Sequence, residues 1–141
     1  MMFAPLLMLA AATQLPTTET SPLATPDTVH DWVFVGEDDD VAGWYDRTFE
    51  DTILFEGQPY PVVLIRFVLI DEGIENVGDM VLAVDCTEKQ MAVAAAWLKD
   101  EEEIRALYDG PEGMTFDFVE PPFDSEDIIL FRQACGQGWK P

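Results

Sequence analysis

Along the middle of the chain, apolar and polar residues alternate in short bursts with the two-residue period of β-strands. "DWVFV" (31–35) has that alternation together with the aromatic and β-branched content of a strand. "GEDDD" (36–40) interrupts it, and "VAGWYDRTF" (41–49) resumes an extended pattern. In "ILFEGQPYPVVLIRFVLID" (53–71), Glu56-Gly57 marks a turn, and Pro59 and Pro61 stand at the entry to a long strand, where a missing N–H matters least. From Val62 to Ile70 both alternating rows are apolar apart from Arg66. That pattern belongs to a central strand covered on both faces, so Arg66 must pair with a carboxylate or lie at the sheet margin. "DEGIENVGD" (71–79) reads as a loop and "MVLAVDC" (80–86) as the next strand.

The period changes near the C-terminus. "VEPPFDSEDIILFRQACG" (119–136) offers two prolines, then Asp124 or Ser125 as a helix cap, acidic residues in the first turn, Arg132 in the last and Gly136 at the stop. In such a helix Ile128, Phe131 and Cys135 share one face. In the preceding strand Met80, Leu82, Val84 and Cys86 share a face by alternation. A Cys86–Cys135 bridge would pin the helix stripe onto that face. Between these elements, "TEKQMAVAAAWLKDEEEIRALYDGP" (87–111) is rich in good helix formers, with a capping-box pattern at Thr87 and Gln90 and a stop at Gly110-Pro111. Its composition predicts helix, although Met91, Val93, Ala95 and Trp97 would also make one row of a strand.

The N-terminus reads as an address followed by a tether. "MMFAPLLMLAAATQ" is a short apolar run ending in small residues, and predicts a signal peptide over 1–12. Residues 13–30, "TQLPTTETSPLATPDTVH", carry little bulky apolar surface and three prolines, and predict a flexible leader. The folded domain is then expected over 31–141. No charge-free stretch reaches membrane-spanning length.

A total of 141 residues supports one domain. The charge narrows the partners: 28 acidic residues against 7 basic ones leave a net charge of -21. That field repels nucleic acid and anionic lipid surfaces; it reads first as a heavily hydrated surface that keeps the chain soluble, with cation binding or docking to a basic partner as the sharper alternatives. In an exported chain, two cysteines predict one disulfide. With His30 the only histidine, a structural zinc site lacks ligands.

An ordered set of features resembles the surface-adhesin E family, small exported domains of Gram-negative bacteria. The set comprises Trp32, "WYD" (44–46), the long apolar strand, "VDC" (84–86), "FVEPP" (118–122), Ser125 and "AC" (134–135), and it spans Asp31 to Gly136. The resemblance implies an antiparallel sheet backed by a C-terminal helix, and a strand in place of the helix that composition favours after Cys86. The chain departs from the family in the Ala-rich run after Lys89 and in its acidic excess, so no binding residue is carried over.

Catalytic chemistry finds little to work with. Ser21 falls in the leader and Ser125 at the helix cap, and His30 reads as an ordinary surface histidine. "GEDDD" and "KDEEE" lack the ligand spacing of a calcium loop. No cofactor motif is present. Trp44 and Tyr45 read as core filling, with an exposed aromatic patch for a partner as the alternative. The sequence thus predicts an α+β domain: an antiparallel sheet of about five or six strands, backed by a C-terminal helix tethered by a Cys86–Cys135 disulfide. Its expected role is a non-enzymatic interaction or structural module, periplasmic or at the cell surface, binding protein and no nucleic acid. The alternatives are an acidic binder of cations or basic partners, and a small carboxylate-based envelope enzyme.

Overall fold

The computed structural model describes residues 14–25, 27–100, 103–108, 110 and 117–141; the expected signal peptide lies outside them. The strands are β1 (Trp32–Glu37), β2 (Val41–Asp46), β3 (Asp51–Phe55), β4 (Gln58–Asp71), β5 (Ile74–Asp85), β6 (Gln90–Asp100) and β7 (Glu103–Tyr108). One helix, α1 (Ser125–Cys135), follows. All seven strands join one antiparallel sheet in the order β1-β2-β4-β5-β6-β7, so the count exceeds the expected five or six. β3 is off this path: it pairs with the first part of β4, and β2 pairs with the second part.

β4 is the spine. Its residues from Val62 to Val68 are buried without interruption, as a central strand covered on both faces requires. Odd positions such as Val63 and Ile65 face α1, and even positions such as Val62 and Leu64 face the other way. The segment 71–79, expected to be a loop, contributes a loop only at its tip. Glu72 and Gly73 both take positive φ, the requirement of a tight two-residue hairpin turn, and β5 begins at Ile74. Glu56-Gly57 makes the same kind of turn between β3 and β4. Asp79 is the residue that misled the pattern, since an acidic side chain in a strand core reads as loop until its partner is known.

After Cys86 the chain runs into β6 and β7, against its helical composition. Ala92, Ala94, Ala95 and Ala96 are all buried, and their small side chains let other groups approach the sheet closely. Packing overrides local propensity here.

The helix face is closed by α1. Asp124 caps the helix by accepting from Asp127 N–H at 3.0 Å, while Asp127 accepts from Asp124 N–H at 3.3 Å. Gly136 ends it with φ 105°. Phe131 and Cys135 face the sheet as expected, but Leu130 and Ala134 complete the stripe in place of Ile128. Met80, Leu82, Val84 and Cys86 form the opposing row. The Cys86–Cys135 disulfide joins the two, with Cα atoms 5.8 Å apart. Trp139, which no periodicity or motif marks, folds back beyond the helix. Its ring stacks on Phe131 at 4.4 Å between centroids, and its indole N–H donates to the Cys86 carbonyl at 3.1 Å.

The opposite face is closed by the segment expected to be a flexible leader. Leu15 and Leu23 pack on the sheet, and Thr20 and Ser21 are fully buried. The packed unit therefore reaches back well before Asp31. We call this stretch, from Gln14 to Thr25, the strap.

The bridge spans 49 residues of sequence and ties α1 to the sheet. A Cys86→Ser/Cys135→Ser double variant is expected to lose about 4 kcal/mol of unfolding free energy, read by urea denaturation against the oxidised protein.

Candidate functional site

Polar chemistry collects in three places, two under the strap side of the sheet and one beside the helix. The first is a charged pair in the middle of the sheet. Arg66 on β4 stands directly opposite Asp79 on β5, between Trp44 of β2 and Trp97 of β6 in the same cross-strand row. Arg66 Nε donates to Asp79 Oδ1 at 2.9 Å and Nη2 to Oδ2 at 3.3 Å, a two-pronged contact. Both side chains are at least 95% buried. Their remaining valences are met by the strap: Arg66 Nη1 donates to the Pro16 carbonyl at 3.0 Å, and Ser21 Oγ donates to Asp79 Oδ2 at 2.5 Å. Trp32 lies under the guanidinium, 4.6 Å from ring centroid to Cζ. Lys99 also hydrogen-bonds Thr18 of the strap. The expectation that Arg66 meets a carboxylate is met, and Ser21 proves to be a buried partner of that carboxylate.

The second place joins a hydroxyl, an imidazole and a carboxylate in sequence. Thr28 Oγ1 lies 2.7 Å from His30 Nε2, and His30 Nδ1 lies 2.5 Å from Asp46 Oδ2. Asp46 is buried and also accepts from the N–H groups of Asp31 and Thr48 and from the Thr48 hydroxyl. Burial alone would raise its pKa, yet these hydrogen bonds together outweigh burial and hold the carboxyl below its ordinary range. As an ionised carboxylate only accepts, His30 Nδ1 is the donor. The order Thr-His-Asp has the outline of a nucleophile relay, but it meets neither of the other geometric requirements of one. Thr28 Oγ1 donates to the Thr25 carbonyl at 2.7 Å, and the concavities of about 160–510 Å³ on this surface are lined by other residues. The relay is a clasp fastening the chain before β1 to the end of β2. His30, expected at an ordinary surface position, has only 14% of its side chain exposed.

The third place is a small pocket on the helix face, of about 160 Å³, just beyond the N-terminus of α1. Its floor is Ile65, Phe67 and Met80. Gly36 and Gly43 face each other across β1 and β2, and it is Gly43 that leaves the space open. Asp38 and Glu126 stand around it, while Glu37, paired with Ala42, turns to the strap face. Glu126 lies so close over Gly36 that a Cβ there would collide with its carboxylate. Burial first, then the charges of Asp124, Asp127 and Asp38, push the Glu126 pKa up. Asp127 is likewise raised, by burial and by the charge of Asp124.

Other candidates fall away. Trp44 and Tyr45 are buried, 4% and 9% exposed, one on each face of the sheet. They fill the two cores and offer no surface patch, because neighbouring residues of a strand point to opposite faces. Ser125 is the first helical residue and Asp124 holds the cap. Among the described residues no group of three His, Cys, Asp or Glu side chains is placed to hold a metal ion, and no helix is long and apolar enough to cross a membrane.

No family model, curated protein or solved structure matches this chain. The function must therefore be argued from the residues themselves.

The Glu126 carboxyl gives a test with a definite sign. A raised folded-state pKa means that its contribution to stability is full below the ordinary glutamate value of about 4.3 and is lost as pH rises through the folded value. Glu126→Gln is thus expected to melt higher than wild type at pH 7, with the gain vanishing on titration below about pH 4. Thermal melts across that range measure it, and an equal gain at both ends would show that the cause is not the charge.

Proposed function

We propose that the protein is an exported, non-enzymatic interaction or structural module of the bacterial cell envelope, of the surface-adhesin E kind. The observation that carries this reading is the Cys86–Cys135 bridge between sheet and helix. A structural disulfide persists in an oxidising compartment such as the periplasm or cell surface. The ordered motifs from Trp32 to the Ala134-Cys135 step support the family resemblance, as does the placement of the helix on the strand that ends in "VDC". The net charge of -21 favours a protein or cationic partner over nucleic acid.

A second reading is an acidic protein that binds cations or basic partners. Its specific support is the pocket rim, where Asp38 and Glu126 come together and the ion pairs among the described residues lie elsewhere. A carboxylate enzyme draws on the same corner, with Glu126 and Asp38 as its two carboxyls, but the apolar floor supplies no hydroxyl or imidazole beside them.

Isolation of the native protein from envelope fractions, with intact-mass measurement before and after reduction, tests export and the bridge together. The expected mass is that of a chain shortened near Ala12 that gains two hydrogen atoms on reduction. Pull-down with the mature chain from the same extract is expected to retain a protein partner. Turnover of a panel of ester and glycoside substrates by the purified chain would overturn the non-enzymatic reading.

A further inference from the structure

We propose that the pocket bounded by Gly36, Gly43 and Glu126 is a docking site for a lysine side chain of a basic protein partner. The inference rests on the interaction reading above and names the chemistry of that interaction.

The argument begins with missing volume. Phe67 on β4 stands between Gly43 of β2 and Gly78 of β5, its cross-strand neighbours. A Cβ at Gly78 would run into the Phe67 ring, so that glycine is occupied by its neighbour. Gly43 is different. A Cβ there would meet only the Arg66 carbonyl, at 3.9 Å, so nothing in the fold requires the space to stay empty. Strand interiors lose stability to glycine; Gly36 lies at the register shift of β1, and Gly43 opposite it leaves room above the apolar floor for another group. The floor of Ile65, Phe67 and Met80 suits a methylene stem.

Charge then selects the tip. The rim carries two carboxylates from separate parts of the chain: Asp38 just after β1, and Glu126 in the first turn of α1. The ion pairs of the described residues involve Asp31, Asp46, Asp79 and Asp100, and none of the rim groups. Asp38 spends one oxygen on the N–H groups of Asp40 and Val41, which sets the loop without neutralising the charge. A compact ammonium with three rotatable donors suits two separate carboxylates, whereas a planar guanidinium suits one carboxylate held edge-on. A lysine can lay its stem on the apolar floor and keep its ammonium at the rim. The field of a chain with net charge -21 steers a basic protein, rather than a neutral amine, toward such a site.

The test uses three capped tripeptides, Gly-X-Gly, in which X is lysine, norleucine or diaminopropionate. They are titrated into the mature protein by NMR at low salt. The lysine peptide is expected to shift the Gly36 and Gly43 amides and the Met80 methyl. Norleucine keeps the stem without the charge and diaminopropionate the charge without the stem; each is expected to bind at least about tenfold more weakly. Gly43→Val fills the pocket at unchanged charge and is expected to abolish the response. Should that variant fail to fold, Glu126→Gln carries the same comparison with an expected loss of about tenfold. Shifts scattered over the acidic surface, equal binding of the norleucine peptide, undiminished binding by the folded variant, or no response at all would each overturn the proposal. If an envelope partner is still retained in pull-down when the tripeptides fail, the pocket is wrong and the interaction reading stands.

Discussion

A charged pair sits where this sheet is most deeply buried, and the architecture of one whole face follows from keeping it satisfied. Arg66 and Asp79 stand opposite each other on the two central strands, both out of water. Removing either partner from such a pair leaves an uncompensated buried charge, typically a loss of about 3–5 kcal/mol. The pair alone leaves donors and lone pairs unmet, and apolar residues cannot meet them. The strap can, because its sequence is short on bulky side chains and supplies the Pro16 carbonyl and the Ser21 hydroxyl where they are needed. Trp32, Trp44 and Trp97 then keep the surroundings dry. Thr20 Oγ1 is the exception, a buried hydroxyl with no hydrogen-bond partner among the described residues.

The two faces of the sheet are thus held by different physics. The helix face is an apolar contact, Phe131 and Leu130 on Leu82 and Val84, locked by a covalent bond and roofed by Trp139. The strap face is a polar contact inside an apolar ring, fastened a second time by the His30–Asp46 clasp. Beyond the helix's end the apolar floor continues uncovered, and there the chain places carboxylates instead of side chains that would close it. Glu126 and Asp127 both have raised pKa values there, so the charge at this corner costs stability at neutral pH.

How much of this could be read in the sequence depended on whether the signal was periodic or relational. The unbroken apolar run of β4, the Glu56-Gly57 turn, the acidic start and glycine stop of α1, and the row leading to Cys86 were all legible, because each depends on neighbours in sequence. The strap was not. Thr20 and Ser21 look like linker residues until Asp79 is known to need a donor, 58 residues away from Ser21. Asp79 itself looked like loop for the same reason. The helix-forming composition of 87–108 gave way to strands because alanines tolerated in either state are chosen by packing. Trp44 and Tyr45 were legible as core but not as members of opposite cores, and the pocket depends on Gly43 of β2 coming to lie beside Phe67 of β4 while Glu126 of α1 covers Gly36.

The central claim is that the strap is part of the fold, held by the buried pair. Native-state hydrogen exchange on the oxidised mature chain tests it most directly, through the Leu23 and Ala24 amides, whose N–H groups bond Ser21 Oγ and the Ser21 carbonyl. The account predicts that both are protected in wild type and that Asp79→Asn lowers that protection while α1 amides such as Ile128 keep theirs. Random-coil exchange of Leu23 and Ala24 in wild type, beside a fully protected β4 and β5, would contradict it.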